Sequence, residues 1–316
     1  MLLAIGLVLL GFAASASWRL LHGWTRLWLA PASIIGLLVI LSGALAVTFT
    51  VVPPTALGRS TPASVGLPYR NVTFTTRDGV RLSGWYVPSR NRAAVVLMHG
   101  SGSTRTAVLP QAGVVGRHGY GVLLVDARGH GRSGGRGMDL GWYGDQDTSA
   151  AVTFLTHQPG IDPFRIGVLG LSMGGEEAIG AAAADQRIHA VVAEGATART
   201  AADKANWLPG GVSGAVQRGL DLLTFGLTDL LTPASPPAPL DNAVRAADRT
   251  QFLLITAGTV PDETLAAHAL DAAAPPTRVR VWNVPGAGHT GGLATAPRAW
   301  AQHVIAFLDA ELHTPH

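Results

Sequence analysis

The 316-residue sequence contains no cysteine. That removes thiol nucleophiles, thiolate metal sites and disulfides together, and leaves the redox compartment open. Charge is scarce as well: 14% of residues are Asp, Glu, Lys or Arg, and lysine occurs once, at Lys204. The pI of 9.8 therefore rests on a net charge of only +3 and on scattered arginines. No basic run of the kind that grips nucleic acid is present, so nucleic acid is not an expected partner. Nucleotide signatures are missing too. There is no G-x-x-x-x-G-K-[ST], and the run G-L-S-M-G-G at 170–175 lacks the G-x-G-x-x-G spacing. No H-E-x-x-H or other close histidine pair has metal-ligand spacing, so neither a metal nor a cofactor is expected. Internal repeats are absent.

What the chain has in excess is apolar residues, 47% of the total, with mean hydropathy +0.28. They concentrate at the N-terminus, where residues 2–17 and 29–52 carry no charge. The second run exceeds the roughly 20 residues a bilayer crossing needs, and the first, extended by Trp18, reaches the lower limit of about 17. Between them lie Arg19, Arg26 and three tryptophans, the composition of an interfacial loop. The pattern predicts two transmembrane helices, 2–18 and 29–52. A signal peptide over 1–17 is the other reading: A-S-A-S would serve as its cleavage site, although its start lacks Lys or Arg. The two arginines favour a cytoplasmic loop, which places the large domain outside the cytoplasm at the cell membrane.

Pro53-Pro54 should stop the second helix, and 53–69, rich in Pro, Gly, Ser and Thr, reads as a linker. Residues 70–316 have the length of one large domain. NVTFTT (71–76) and VRLSGWYVP (80–88) flank Asp78-Gly79, a hairpin signal. Six short apolar runs follow, at 93–100, 120–127, 165–172, 189–195, 251–258 and 278–285. Helical stretches separate most of them, at about 104–117, 146–157, 173–185, 263–273 and 294–311. This alternation predicts an α/β fold: a mainly parallel eight-stranded sheet with helices on both faces, opened by an antiparallel hairpin. The insert at 196–250 is too long for a simple crossover and reads as a small cap, with a helix near 213–231.

Chemistry concentrates in three glycine-rich turns. Gly170-Leu171-Ser172-Met173-Gly174 lies between a buried strand and a helix, the context of a nucleophile elbow. Such a turn lifts Ser172 above the sheet and points the Met173 amide at the same space, beside a helix N-terminus that favours developing negative charge. His99-Gly100-Ser101-Gly102-Ser103 ends the third strand. Its small residues leave the Ser101 amide free to complete a two-amide oxyanion hole, while His99 is read as packing the loop. Gly288-His289-Thr290 follows the last strand, where a histidine can reach back to the serine as general base.

These motifs, with DARGHGRSGG (126–135), DPFRIGVLGLSMGGEEA (162–178) and GAGHT (286–290), resemble the α/β-hydrolase fold across about 71–311. The likeness is to bacterial serine hydrolases with esterase-like and prolyl-oligopeptidase-like members. It implies a Ser172–His289 pair with an acid after the seventh strand, often in G-x-x-D. Here the sequence reads Gly258-Thr259-Val260-Pro261-Asp262-Glu263, so the carboxylate arrives late. Asp262 ranks first, Glu263 second, and Glu194, at the end of the sixth strand, third. Asp126 and His130 are expected to be scaffold, and Asp145 and Asp147 helix caps. The resemblance implies a membrane-anchored hydrolase of carboxylic esters or thioesters that needs no cofactor. Its partners would be a small acyl ester and, through the N-terminal helices, membrane lipid. A peptidase on short peptides, an acyltransferase and a catalytically silent membrane scaffold are the alternatives.

Overall fold

The computed structural model describes residues 2–51 and 55–313. Two apolar helices, α1 (Leu2–Leu20) and α2 (Leu29–Thr50), pack as an antiparallel pair. Glycines set their distance: a Cβ on Gly6 would lie 2.6 Å from the Ile40 side chain, and one on Gly36 2.7 Å from that of Leu10. α1 runs past the expected end and takes in Arg19. The connection is a tight 3-10 turn over Gly23–Trp28, where the Arg26 guanidinium sits over the Trp18 ring. The stretch Gly23–Thr50 is long and apolar enough to cross a bilayer. Val52, Pro53 and Pro54, which the sequence reading used to end the second helix, lie outside the described residues.

The remaining chain forms one eight-stranded sheet. A hairpin of β1 (Arg70–Thr75) and β2 (Arg81–Val87) turns at Gly79, whose φ of 85° only glycine adopts without strain. The strands β3 (Ala94–Met98), β4 (Gly121–Asp126), β5 (Ile166–Leu171), β6 (Ile188–Glu194), β7 (Gln251–Ala257) and β8 (Val279–Val284) follow. Their spatial order is β1-β2-β4-β3-β5-β6-β7-β8. The β1–β2 and β2–β4 pairs are antiparallel and every other pair is parallel. Because side chains alternate along a strand, β3 sends Val95 and Leu97 to one face and Val96 and Met98 to the other, all fully buried.

Each face has its own core. On one, α3 (Leu109–Arg117) and α11 (Pro297–His313) cover the sheet through Val115, Trp300, Val304 and Leu308. On the other, α4 (Gly144–Thr156), α5 (Met173–Ala184), α8 (Leu240–Ala246) and α9 (Pro261–Ala273) contribute Leu155, Ile179, Val244 and Leu270. Two expectations change here. The insert at 196–250 is not all cap, because α8 joins the body of the domain while only α6 (Ala201–Trp207) and α7 (Gly211–Leu231) stand over the sheet's edge. The linker is also not free throughout. It makes a turn over Pro62–Val65, and Leu67 is buried against α3, where a Cβ on Gly116 would lie 2.8 Å from it.

The largest departure is the position of α2. Its small and polar side chains Ser42, Ala46 and Thr50, spaced one turn apart, are buried, and it packs along α7. Its end also meets the domain body, where a Cβ on Gly137 would fall 2.4 Å from the Thr50 carbonyl oxygen. The sequence reading separated the N-terminal helices from the domain, but α2 is continuous with it.

Candidate active site

β5 runs into α5 through a turn too tight for side chains on either side of Ser172. A Cβ on Gly170 would lie 2.0 Å from the Gly174 carbonyl oxygen, and one on Gly174 within 2.7 Å of the carbonyl oxygens of Met98 and His99. Ser172 itself has φ 53° and ψ −121°, a conformation that costs a non-glycine residue about 1–3 kcal/mol. The turn is held from both sides. The Ser172 N–H donates to the Glu194 carbonyl at 2.8 Å, and the Ser172 carbonyl accepts from Gly175 N–H at 2.8 Å and Glu176 N–H at 3.1 Å.

A histidine and a carboxylate stand in line with the serine. The Ser172 hydroxyl donates to His289 Nε2 at 2.9 Å, and His289 Nδ1–H donates to Glu263 Oε1 at 2.7 Å. A carboxylate only accepts, so its contact at Nδ1 leaves Nε2 free to take the serine proton. Glu263 is 1% exposed, and its second oxygen accepts from Ala257 N–H at 2.7 Å. The His289 imidazole is 50% exposed, and the hydrogen bond to Glu263 raises its pKa above the usual 6.5. The ring passes close to the β6 terminus because Gly195 has no side chain: a Cβ there would lie 3.0 Å from the imidazole, and the φ of 75° also favours glycine. Sequence reasoning passed over Gly195, although a glycine ending a buried strand is a signal of close approach.

Of the two adjacent carboxylates, Glu263 and not Asp262 lies against His289. Pro261 opens α9, and Glu263, Ala266, Ala267 and Leu270 form its buried stripe, leaving Asp262 exposed on another face. Glu194 is not at the imidazole either. Its two oxygens accept from Gly292 N–H at 2.7 Å and Trp300 Nε1–H at 2.8 Å, tying α11 and the short helix α10 (Gly292–Thr295) to the end of β6. Burial pushes the Glu194 carboxyl pKa up, and those two donors oppose the shift. Replacing Glu194 by alanine strands two buried donors, a cost of about 1–3 kcal/mol for each. Thermal unfolding of Glu194→Ala should therefore show a midpoint several degrees below the parent; an unchanged midpoint would remove Glu194 from this role.

Ser101 and Met173 line the same cavity as Ser172, and neither backbone N–H has an acceptor among the described residues. The Ser101 hydroxyl donates to Met138 Sδ at 3.0 Å, which steadies that turn. His99 is fully buried, donating from Nδ1 to the Gly100 carbonyl and accepting at Nε2 from Ala127 N–H. Burial lowers its pKa to about 3, so it stays neutral. Asp126 accepts from the backbone N–H groups of Arg105 and Arg132, each at 2.9 Å, and His130 hydrogen-bonds the Arg128 carbonyl. Asp145 and Asp147 are ion-pair partners rather than caps, of Arg199 and Arg128 respectively. Among the described residues no group of three His, Asp or Glu side chains is placed to hold a metal.

The cavity beside Ser172 encloses about 380 Å³. Leu41, Ser42, Leu45 and Phe49 of α2 form one wall, and Gln217, Leu220, Asp221, Thr224 and Phe225 of α7 another. Lys204 Nζ and Gln217 Nε2 both donate to Asp221 Oδ1 at 3.0 Å. A second cleft of about 830 Å³ between α3 and α11 reaches Leu171 and Thr290.

Known proteins share this fold. The esterase Pf2001 of Pyrococcus furiosus superposes with a TM-score of 0.66 at 27% identity, over 83% of this chain and 98% of that one. The chain has the α/β-hydrolase fold. Residues 89–237 match the family model described as serine aminopeptidase, S33. It is 41% identical over 128 residues to thiohydrolase aneE of Aspergillus aculeatus, covering 39% of this chain and 40% of that protein. It is also 38% identical over 118 residues to the uncharacterized protein Rv2307c of Mycobacterium tuberculosis, covering 36% and 41%. The chain thus spans about two fifths of the length of the curated relatives it matches.

Proposed function

We propose that this protein is a membrane-anchored serine hydrolase that cleaves carboxylic esters or thioesters through an acyl-enzyme on Ser172. The observation that carries the reading is the unbroken relay Ser172–His289–Glu263, with contacts of 2.9 and 2.7 Å. Ser172 Oγ attacks the acyl carbonyl as its proton passes to His289 Nε2, and Glu263 stabilises the imidazolium without taking the proton. The Met173 and Ser101 N–H groups receive the oxyanion. His289 then gives its proton to the leaving oxygen or sulfur. Water, deprotonated by the same nitrogen, attacks the acyl-enzyme, and the proton returns to Ser172 Oγ as the acid leaves.

An ester suits the cavity better than a peptide. A peptide N-terminus calls for a carboxylate whose charge is not already compensated, and neither carboxylate lining the cavity offers one. Asp221 holds Lys204 and Gln217, while Glu176 accepts from Thr197 and Ala198 N–H at 3.0 Å and burial raises its carboxyl pKa. Leu41, Leu45, Phe49, Leu220 and Phe225 offer an acyl chain its apolar surface. The anchor is the stretch Gly23–Thr50, whose large apolar side chains stand mostly exposed, with the catalytic domain on the extracytoplasmic side.

The test uses the whole chain, since α2 walls the cavity. A fluorophosphonate should label Ser172 alone, located by peptide mass spectrometry. p-Nitrophenyl esters from acetyl to palmitoyl should be hydrolysed with a preference beyond acetyl. Folded protein that takes no label and turns over no ester would end this reading.

A further inference from the structure

α7 is built with its polarity reversed. Its inward face, recurring at i, i+3 and i+4, is Gly214, Gln217, Asp221, Thr224 and Thr228, with Asp221 and Thr228 buried. The outward face runs through Val212, Val216, Gly219, Leu222, Gly226 and Leu230, with Val212 83% exposed and Leu230 82%. A helix on a water-facing surface carries the opposite pattern, its apolar stripe turned inward. Beyond residue 51, six large apolar side chains are exposed among the described residues, and four of them lie on α7. The concentration on one helix marks a contact surface rather than ordinary scatter.

The neighbour of that surface identifies its occupant. α7 packs directly on α2, with Leu227 in contact at Gly43. On α2, Ser42, Ala46 and Thr50 are buried against the domain, while the large apolar side chains Ile34, Ile35, Leu37 and Val39 nearer its start are exposed. The two packed helices thus both carry exposed apolar side chains and together wall the cavity beside Ser172. A protein partner would have to cover both. A bilayer that accepts α2 meets α7 with no further component, and the 21 residues of α7 span about 32 Å, close to the thickness of the hydrocarbon core.

We infer that the outward face of α7 lies in lipid beside α2, so that the cavity between the two helices draws its substrate sideways from the membrane. The inference rests on the anchoring and hydrolase readings above and deepens them by naming a substrate class. The substrate is an amphiphilic membrane ester whose acyl chain lies along Leu41, Leu45 and Phe49. Its polar end meets Gln217, Asp221 and Lys204, where Asp221 Oδ2 is buried and has no hydrogen-bond partner among the described residues.

The absence of cysteine makes the test direct. Single variants Leu222→Cys and Leu230→Cys of the full chain carry an environment-sensitive nitrobenzoxadiazole label in phosphatidylcholine vesicles containing brominated acyl chains. Ile35→Cys on α2 serves as the lipid reference and Phe164→Cys, exposed on the domain body, as the water reference. Bromine quenching at 222 and 230 close to that at 35, with none at 164, is the expected result. Quenching at 35 alone overturns the inference and leaves the anchor standing, while quenching at none of the sites removes both. Labels at 222 and 230 shielded from iodide yet untouched by bromine would mean a protein partner or a second copy, and would also overturn it. Kinetics give a second check. The Leu222→Asp/Leu230→Asp variant should lose about tenfold or more in turnover of a long-chain ester dissolved in the vesicles, since charged side chains on this face oppose its burial in lipid. Its turnover of soluble p-nitrophenyl acetate should stay within about twofold. Equal loss on both substrates would make α7 a structural element only.

Discussion

Ser172→Ala should abolish ester turnover, with kcat falling by about 10⁴–10⁶ and the residual rate supplied by the oxyanion donors and substrate positioning. The substitution isolates chemistry from folding unusually well. Among the described residues the only hydrogen bond of Ser172 Oγ is to His289, and the backbone contacts that hold the turn run through the Ser172 N–H and carbonyl. Alanine keeps those contacts and meets the same unfavourable φ of 53° as serine, so the strain of the elbow is retained. Stability should therefore stay within about 0.5 kcal/mol of the parent. Steady-state hydrolysis of p-nitrophenyl butyrate, paired with thermal unfolding of the same preparation, reads both quantities. Retained turnover in a folded Ser172→Ala protein would show that another group is the nucleophile.

How far such residues can be found from sequence depends on the range of the interaction that places them. The elbow is local: Gly170 and Gly174 are required by atoms within a few residues or on the adjoining strand, and the pentapeptide displays that requirement. The parallel strands are also legible, because burial on both faces demands uninterrupted runs such as Ala94–Met98. The acid is set by helix phase instead. Asp262 and Glu263 are neighbours in sequence but point about 100° apart on α9. The signal that separates them is the stripe Glu263, Ala266, Ala267, Leu270, which has helical spacing and is buried as a unit. The catalytic wall made by α2 has no local signal at all. It follows from packing between residues 41–49 and 217–225, and a charge-free run reads as a membrane segment whatever its inner face contacts. Even there, Ser42, Ala46 and Thr50 at four-residue spacing are a faint mark of a face turned toward protein.

Glu263→Gln should separate the two carboxylates of α9. The glutamate accepts two hydrogen bonds at once, His289 Nδ1–H on Oε1 and Ala257 N–H on Oε2. Glutamine keeps one acceptor oxygen and gains an NH₂, so it cannot satisfy both donors. If its oxygen stays with the buried Ala257 N–H, its NH₂ faces Nδ1 and drives the imidazole into the tautomer with a proton on Nε2. That nitrogen then cannot accept from Ser172. A fall in kcat of about 10³–10⁴ follows, with KM little changed, because the lost interaction belongs to the transition state. Asp262→Asn should leave kcat within about twofold, since an exposed first-turn carboxylate supports its helix by only about 0.3–1 kcal/mol. The pH profile gives an independent reading. His289 works as the neutral imidazole and Glu263 raises its pKa, so the parent rate should fall as pH drops through a limb above 6.5. Removing the carboxylate charge lowers that pKa, and the limb of Glu263→Gln should move to lower pH. Folding stability carries the same coupling with the opposite sense. The protonated His289–Glu263 pair favours the folded state below pH 6.5, and that contribution is lost as pH rises through the folded pKa. A limb that stays in place in Glu263→Gln but moves in Asp262→Asn would return the role to Asp262.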